Sequence, residues 1–185
     1  MTLRLAGLAL ALIASIAGPA LAQDADEVVV TGGSVIAAET VDALRVREAI
    51  AYAYALPPGA PSADYPLVAW CEALVLGHVA LGETLADPDD LDRDIMRLGR
   101  IEAASFRRAL TAAEPRQSAD SRAAAVAAAR EGAARWTALM DAAPEARDQA
   151  FGLFFGLPGR CEHAARRIEA NITTAPATPA EVGLE

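Results

Sequence analysis

Residues 64–85 read DYPLVAWCEALVLGHVALGETL, and this stretch determines the architecture. Only Glu72 and His78 interrupt the apolar and small residues from 67 to 82. A helix that is apolar on most sides lies either at the centre of a helical bundle or in a membrane. The two polar side chains and the modest length favour a central bundle helix over about residues 65–85.

Further helices are predicted on both sides of this stretch, where apolar residues recur at intervals of three and four. The predicted helices cover residues 40–56, 65–85, 89–114, 119–140 and 144–172, the last kinked at residues 157–159. Their expected N-caps are Thr40, Asp64, Asp87 and Ser118. Four or five helices with short connections predict an all-α, up-and-down bundle domain over residues 40–172.

Apolar stripes indicate which helix faces should pack into the core. The stripe of the first helix contains Ala43, Val46, Ile50, Ala53 and Tyr54; that of the third contains Leu91, Ile95, Leu98, Phe106, Leu110 and Ala113; that of the fourth contains Val126, Ala129, Ala133, Trp136 and Met140. We expect all three stripes to be buried.

The N-terminus has the three parts of a secretory signal peptide. Arg4 supplies a basic start, residues 5–17 are apolar, and residues 20–22 match a small-x-small cleavage site. The alternative is an uncleaved anchor, but the apolar run is shorter than the ~20 residues that a transmembrane helix needs. We therefore expect residues 1–22 to be removed, no membrane span to remain, and the protein to be periplasmic or secreted.

The composition excludes some classes of function. The formal net charge is −9, and an acidic chain lacks the basic surface that nucleic-acid phosphates require. The sequence contains no haem-attachment, di-iron, nucleophile-elbow or phosphate-loop motif. It therefore implies no cofactor, and it favours a non-enzymatic protein over an enzyme without settling the choice.

The two cysteines, Cys71 and Cys161, are expected to pair, because an exported protein folds in an oxidising compartment. The alternative is two separate buried thiols. A zinc site with His78 and His163 would use suitable ligand types. However, Cys71 and His78 are two helical turns apart, roughly 10 Å. We therefore predict a disulfide and no metal site.

Two polar residues, His78 and Glu102, fall on apolar helix faces. A buried imidazole needs a hydrogen-bond partner, and Glu102 could supply it, although Arg160 is another possible partner for Glu102. The pair could be a structural link that fixes helix register, or a general acid and base. In the second interpretation a groove lined by Trp70, His78 and Glu102 would serve a small-ligand carrier or an enzyme.

The segments at either end of the expected bundle lack helical periodicity. Residues 23–39 are expected to form a flexible arm, and residues 173–185 a disordered tail. Residues 26–32, DEVVVTG, resemble the segment that TonB-dependent receptors present to their energising partner. The resemblance implies strand addition to an envelope protein. The candidate strand consists of Glu27, Val28, Val29, Val30 and Thr31.

Three stretches carry a wider resemblance. They are DYPLVAWC at residues 64–71, REGAARW at 130–136 and LPGRCE at 157–162. The chain resembles small exported all-helical proteins of alphaproteobacteria, which implies the compartment and architecture already inferred and no particular activity. The expected function is therefore a non-enzymatic binding or accessory role in the cell envelope, with the small-ligand carrier or enzyme as the alternative.

Overall fold

The structure, a computed structural model, describes residues 29–31, 34–36, 40–153 and 157–184. The chain divides into two units, Met1–Glu39 and Thr40–Glu185. The predicted signal peptide, residues 1–22, lies outside the described residues.

In the first unit, a short strand β1 (Val29–Thr31) pairs with β2 (Ser34–Ile36). The pairing is antiparallel and places Val29 opposite Ile36 and Thr31 opposite Ser34. The described part of the predicted strand segment is therefore extended and paired within its own unit.

The second unit is all-helical over its described residues, which confirms the predicted all-α class, although it has more helices than the four or five predicted. Its helices are α1 (Val41–Ala53), α2 (Asp64–Gly82), α3 (Asp90–Ala113), α4 (Ala119–Ala134), the single turn α5 (Thr137–Met140), α6 (Pro144–Gly152) and α7 (Arg160–Glu169). The fourth predicted helix divides at Trp136, which turns into the core. The fifth predicted helix divides into α6 and α7 before Pro158. Helix α7 ends earlier than predicted, because Asn171 adopts a positive φ of 54°.

Helix α2 is the centre of the bundle, as its composition predicts. It packs against α3, α4, α6 and α7, and Leu67, Trp70 and Leu81 on it are fully buried. By length and composition alone, α2 is the one helix in the described part of the chain that could cross a bilayer. The bundle buries 72% of its most apolar window, as expected for a core helix.

The predicted disulfide is confirmed. Cys71 on α2 and Cys161 on α7 are bonded, with their Cα atoms 6.1 Å apart. The bond links positions 90 residues apart in the sequence and ties the central helix to the last one.

Two of the predicted N-caps, Thr40 and Ser118, are confirmed. Each side-chain oxygen accepts a hydrogen bond from the amide three residues later, at 3.1 Å. The predicted cap Asp87 is wrong, because Asp89 caps α3. Asp89 and Asp92 form a reciprocal capping box, which satisfies two backbone amides at once.

The predicted stripe of α1 is wrong. The residues of α1 buried in the bundle are Glu48 and Ala49, whereas Ile50 is 38% exposed and Tyr54 72% exposed. The helix is rotated because Glu48 forms ion pairs with arginines of α7, as described below.

The stripes of α3 and α4 are only partly correct. On α3, Phe106 and Leu110 are buried, but Leu91 and Leu98 are exposed. On α4 the buried face consists of Ala125, Ala128 and Gly132, displaced by about one position from the predicted stripe. These small residues allow α4 to approach α2 so closely that a Cβ on Gly132 would lie 2.7 Å from the Trp70 carbonyl oxygen.

The segment expected to be a tail is described from residue 173 to residue 184. The guanidinium of Arg167 donates a hydrogen bond to the Thr174 carbonyl. A 3-10 turn follows at Ala180–Val182, where the Glu181 carboxylate accepts from the Thr178 amide at 2.7 Å. This segment therefore has defined contacts with α7.

Candidate functional site

A cleft opens between α1 and the start of α7, and we call it the α1–α7 cleft. Its volume is about 630 Å³. Its walls are α1, the residues that follow α1, and residues 157–163. The side chains that matter below are Arg47, Ile50, Tyr54, Leu157, Arg160 and His163.

The apolar wall of this cleft includes two of the five residues of the α1 stripe that the sequence assigns to the core. Ile50 and Tyr54 line the cleft from α1, and Leu56 and Leu157 line it from the two connections. These two stripe residues of α1 therefore face a concavity instead of the packed bundle.

Buried ion pairs explain why α1 takes this orientation. Glu48 is buried on α1, and its carboxylate accepts from Arg167 Nη1 at 2.6 Å. The same carboxylate accepts a hydrogen bond from Arg166. Since a buried carboxylate needs charged partners, these contacts fix Glu48 toward α7. Ile50, two positions later, is thereby directed toward the cleft.

The ion pairs continue to the start of α2. Arg167 Nε donates to Asp64 Oδ2 at 3.1 Å, and the Tyr52 hydroxyl donates to Asp64 Oδ1 at 2.7 Å. Asp64 was expected to cap α2, but its side chain makes these contacts instead, and the N-cap residue is Ala63. Burial and the hydrogen bond to Asp64 raise the pKa of Tyr52, which stays protonated.

Sequence reasoning missed this network of Glu48, Tyr52, Asp64, Arg166 and Arg167. The residues are separated by up to 119 positions, and charged residues on an amphipathic helix are usually solvated. No local pattern distinguishes Glu48 from an exposed glutamate, so the sequence alone offered no signal for it.

The polar end of the cleft lies at the first turn of α7. Arg160 donates to the Ser62 carbonyl at 2.6 Å, and its guanidinium lies over the Tyr52 ring at 4.2 Å. Arg47 pairs with Glu162 at 3.6 Å, with both side chains at least half exposed. The cleft therefore has two guanidinium groups and one carboxylate at the same end.

His163 is the buried polar residue of the cleft. It is 4% exposed, and its Nδ1 has no hydrogen-bond partner among the described residues. Burial lowers the pKa of His163, although Glu162 and Glu48 act in the opposite direction. The ring is therefore neutral at neutral pH. Burying an imidazole nitrogen without a hydrogen-bond partner costs free energy, so this wall of the cleft contains an unsatisfied polar atom.

The two polar residues that the sequence singled out have different neighbours. His78 is 6% exposed and its Nε2 donates to the Phe151 carbonyl at 3.0 Å. Its ring stacks on Phe151 with centroids 4.5 Å apart and lies near Trp136. Burial lowers the pKa of His78. These contacts link α2 to α6 and give His78 a structural role.

Glu102 lies on the exposed side of α3, in a shallow depression beside Glu162 and Glu169. Although Glu102 is an exposed residue, partial desolvation in this depression and the charge of Glu162 raise the pKa of its carboxyl group. The structure therefore gives Glu102 carboxylate neighbours from α7, whereas His78 contacts α6 and Trp136. The groove suggested around Trp70, His78 and Glu102 does not match this arrangement, because Trp70 is fully buried.

A second concavity lies between α2 and α4, and we call it the α2–α4 groove. It also has a volume of about 630 Å³. Its wall is almost entirely apolar, and includes Leu76, 43% exposed, and Val126, 53% exposed. Ala129, Trp136 and Met140 of the predicted α4 stripe also line it. In contrast to the α1–α7 cleft, it has Arg130 as its one charged lining residue among those described.

The zinc alternative loses two of its four ligands, because Cys71 and Cys161 are bonded to each other. Within residues 29–31, 34–36, 40–153 and 157–184, no group of three or more His, Cys, Asp or Glu side chains is arranged to hold a metal ion. We therefore base the site on the α1–α7 cleft.

Comparison of the chain with protein-family models, curated proteins and solved structures gives no match.

Proposed function

We propose that this protein is an exported, non-enzymatic binding protein that holds a small molecule with an apolar body in the α1–α7 cleft. The observation that carries the proposal is the orientation of α1. Its apolar residues face a concavity, while buried ion pairs at Glu48 hold the helix in that position. Exposing Ile50 and Tyr54 to water is unfavourable unless something covers them.

The size and lining of the cleft support this proposal. Small-molecule sites usually have volumes of about 300–1,000 Å³, apolar walls and a few polar groups that orient the ligand. The cleft has an apolar wall from α1 and a cluster of polar groups at one end. The proposal keeps the small-ligand alternative of the sequence analysis but moves it away from His78 and Glu102.

Export is part of the proposal. The N-terminal residues have the pattern of a signal peptide, and the disulfide between Cys71 and Cys161 is consistent with an oxidising compartment. A bound ligand would then be taken up outside the cytoplasm, in the periplasm or beyond.

The test is the binding of Nile red, a neutral apolar fluorophore, to wild-type protein and to Ile50→Glu. We expect bright, saturable binding to the wild type. The variant should bind at least about tenfold more weakly, because the added carboxylate would have to be buried with the dye. Circular dichroism should show that the variant is folded, since Ile50 is already 38% exposed.

Two matched variants serve as controls. Val126→Glu puts the same charge in the α2–α4 groove, and Leu91→Glu puts it on an exposed site of α3. Both should bind Nile red like the wild type. Loss of binding in Val126→Glu with normal binding in Ile50→Glu would contradict the proposal and assign the dye to the α2–α4 groove.

The second candidate function is an accessory role through an envelope protein. The observation that favours it is the two-stranded sheet, in which β1 is paired with β2 within the described residues. In a two-stranded sheet each strand retains one edge that can accept another strand. Deletion of residues 23–33 should then abolish capture of the partner from envelope extract without affecting Nile red binding.

A further inference from the structure

We infer that the ligand of the α1–α7 cleft is a single-chain amphiphile with an anionic head group, which is held at the first turn of α7. This inference rests on the proposed function, because it names the chemical class of the ligand in the same cleft. Three independent features of the polar end lead to it.

The first feature is the N-terminus of α7, a helix of ten residues that starts at Arg160 beside the cleft. The first amides of a helix have no partner within the helix, and they favour negative charge. The N-cap residue, Gly159, has no side chain that could accept from them. The Cys161 amide already donates to the Pro158 carbonyl at 2.9 Å, so an anion in the cleft would meet the remaining amides of the first turn.

The second feature is His163. It is buried, it lines the cleft, and its Nδ1 has no hydrogen-bond partner in the described structure. Nδ1 has almost no exposed surface, so the side chains that cover it must shift before the tautomer that carries its proton on Nδ1 can donate to an oxygen of the head group. Ligand binding would then satisfy a nitrogen whose burial otherwise costs free energy.

The third feature is local charge. The charged residues that line the cleft are Arg47, Arg160 and Glu162, which gives two positive charges against one negative charge, a net charge of +1. The whole chain has a formal net charge of −9. The polar end of the cleft is therefore a positive site on an acidic protein, and it attracts anions.

The apolar wall indicates the chemistry of the part of the ligand beyond the head group. Ile50, Tyr54, Leu56 and Leu157 line the same cleft, so an alkyl chain could lie against them. Tyr54 contributes a broad exposed ring. The head group could belong to a free carboxylate or to a lysophospholipid, since both combine an anion with one apolar chain.

The experiment measures calorimetric dissociation constants for four probes with the wild-type protein. Decanoate and lysophosphatidylglycerol represent the two sources of the anion, and decanol and decyltrimethylammonium lack it. We expect at least one anionic probe to bind about tenfold more tightly than decanol, as for a charge-assisted hydrogen bond. Decyltrimethylammonium should bind most weakly of the four.

Two variants assign the head group to α7. Glu162→Gln removes the carboxylate that pairs with Arg47, and should strengthen decanoate binding about threefold while leaving decanol unchanged. Arg160→Met should weaken decanoate binding about tenfold with a much smaller effect on decanol. Because Glu162 is mostly exposed, its variant tests the inference even if Arg160→Met folds poorly.

The outcomes separate the inference from the proposed function. If decanol binds as tightly as both anionic probes, or if Glu162→Gln weakens decanoate, the anionic head group is wrong and the apolar cleft remains. If no probe binds and Nile red does not bind either, both the inference and the proposed function fail.

Discussion

Glu48 is the residue on which the site depends. It is buried and paired with Arg166 and Arg167, and its position determines which side of α1 meets the cleft. The sequence predicts the orientation of α1 from its apolar stripe. In the structure, the ion pairs of the buried Glu48 determine that orientation instead.

Glu48→Gln should lower the free energy of unfolding by about 2 kcal/mol, because it removes one of the two carboxylates that pair with the buried Arg167. Urea denaturation measures the effect. The matched control is Arg97→Gln, which removes an exposed ion pair with Asp94 and should change stability by less than about 0.5 kcal/mol. Equal effects of the two variants would refute the importance of the buried network.

The stability of the protein should decrease on mild acidification. Burial lowers the pKa of both His78 and His163, so the unfolded state binds more protons than the folded state below the ordinary histidine pKa of 6.5. The free energy of unfolding should therefore be highest above pH 6.5 and fall as the pH drops toward the folded-state values. The raised pKa values of Glu72 and Glu102 act in the opposite direction at more acidic pH.

The measurement is urea denaturation at several pH values between about 8 and 5.5, where we expect a loss of roughly 1 kcal/mol or more. His78→Gln keeps a donor for the Phe151 carbonyl but cannot titrate. It should show a clearly smaller pH dependence than the wild type. An unchanged slope would mean that His78 does not contribute to it.

At the scale of elements, the close contact between α2 and α4 depends on small residues. Gly132→Ala places a methyl group against the Trp70 carbonyl oxygen, which is backbone and moves only with α2. It should cost about 1–3 kcal/mol of stability, as overpacking does, measured by urea denaturation. Gly152→Ala at the end of α6 is the control, because nothing lies within 4 Å of the added Cβ. A harmless Gly132→Ala would show that the two helices are not in close contact.

The helices also show which features of the fold the sequence patterns could predict. Helical periodicity predicted the all-α class and the approximate positions of the helices, and composition predicted the central place of α2. The pattern failed for the orientation of α1, since periodicity shows that a helix has an apolar side but not what that side meets. The buried face of α4 differs from the predicted one because alanine and glycine, which lie on both sides of Val126, can pack against α2 on either side.

Site prediction was limited for a related reason. The cysteine pair could be inferred from compartment and residue type. His163, by contrast, was considered from the sequence only as a possible zinc ligand, and its place in the cleft depends on the position of α1, far away in sequence. The cleft forms from the contact of α1 with α7, which no local pattern encodes.

At the scale of the whole molecule, both sides of the cleft are anchored to the bundle. The disulfide ties α7 to α2, and the network around Glu48 and Arg167 ties α1 to α7. Anchoring both walls reduces the conformational entropy that the site would lose when a ligand binds. The cleft is therefore expected to be formed before the ligand arrives.

The disulfide should contribute strongly to stability. Replacing Cys71 and Cys161 together with alanine should lower the free energy of unfolding by up to about 4 kcal/mol, as loop-closure entropy indicates for a loop of this size. Thermal denaturation with and without reductant measures it. Alkylation of unfolded, unreduced wild-type protein should attach no label, and two labels per chain would show that the cysteines are not paired.

The central claim is that the α1–α7 cleft binds a small molecule with an apolar body. The most direct test is a titration of ¹⁵N-labelled protein with Nile red, followed by two-dimensional NMR. We expect chemical-shift changes at Ile50, Tyr54, Leu157 and His163, whereas Gly77 and Ala133 in the α2–α4 groove should be unaffected. Changes confined to the α2–α4 groove, or no saturable changes at all, would contradict it.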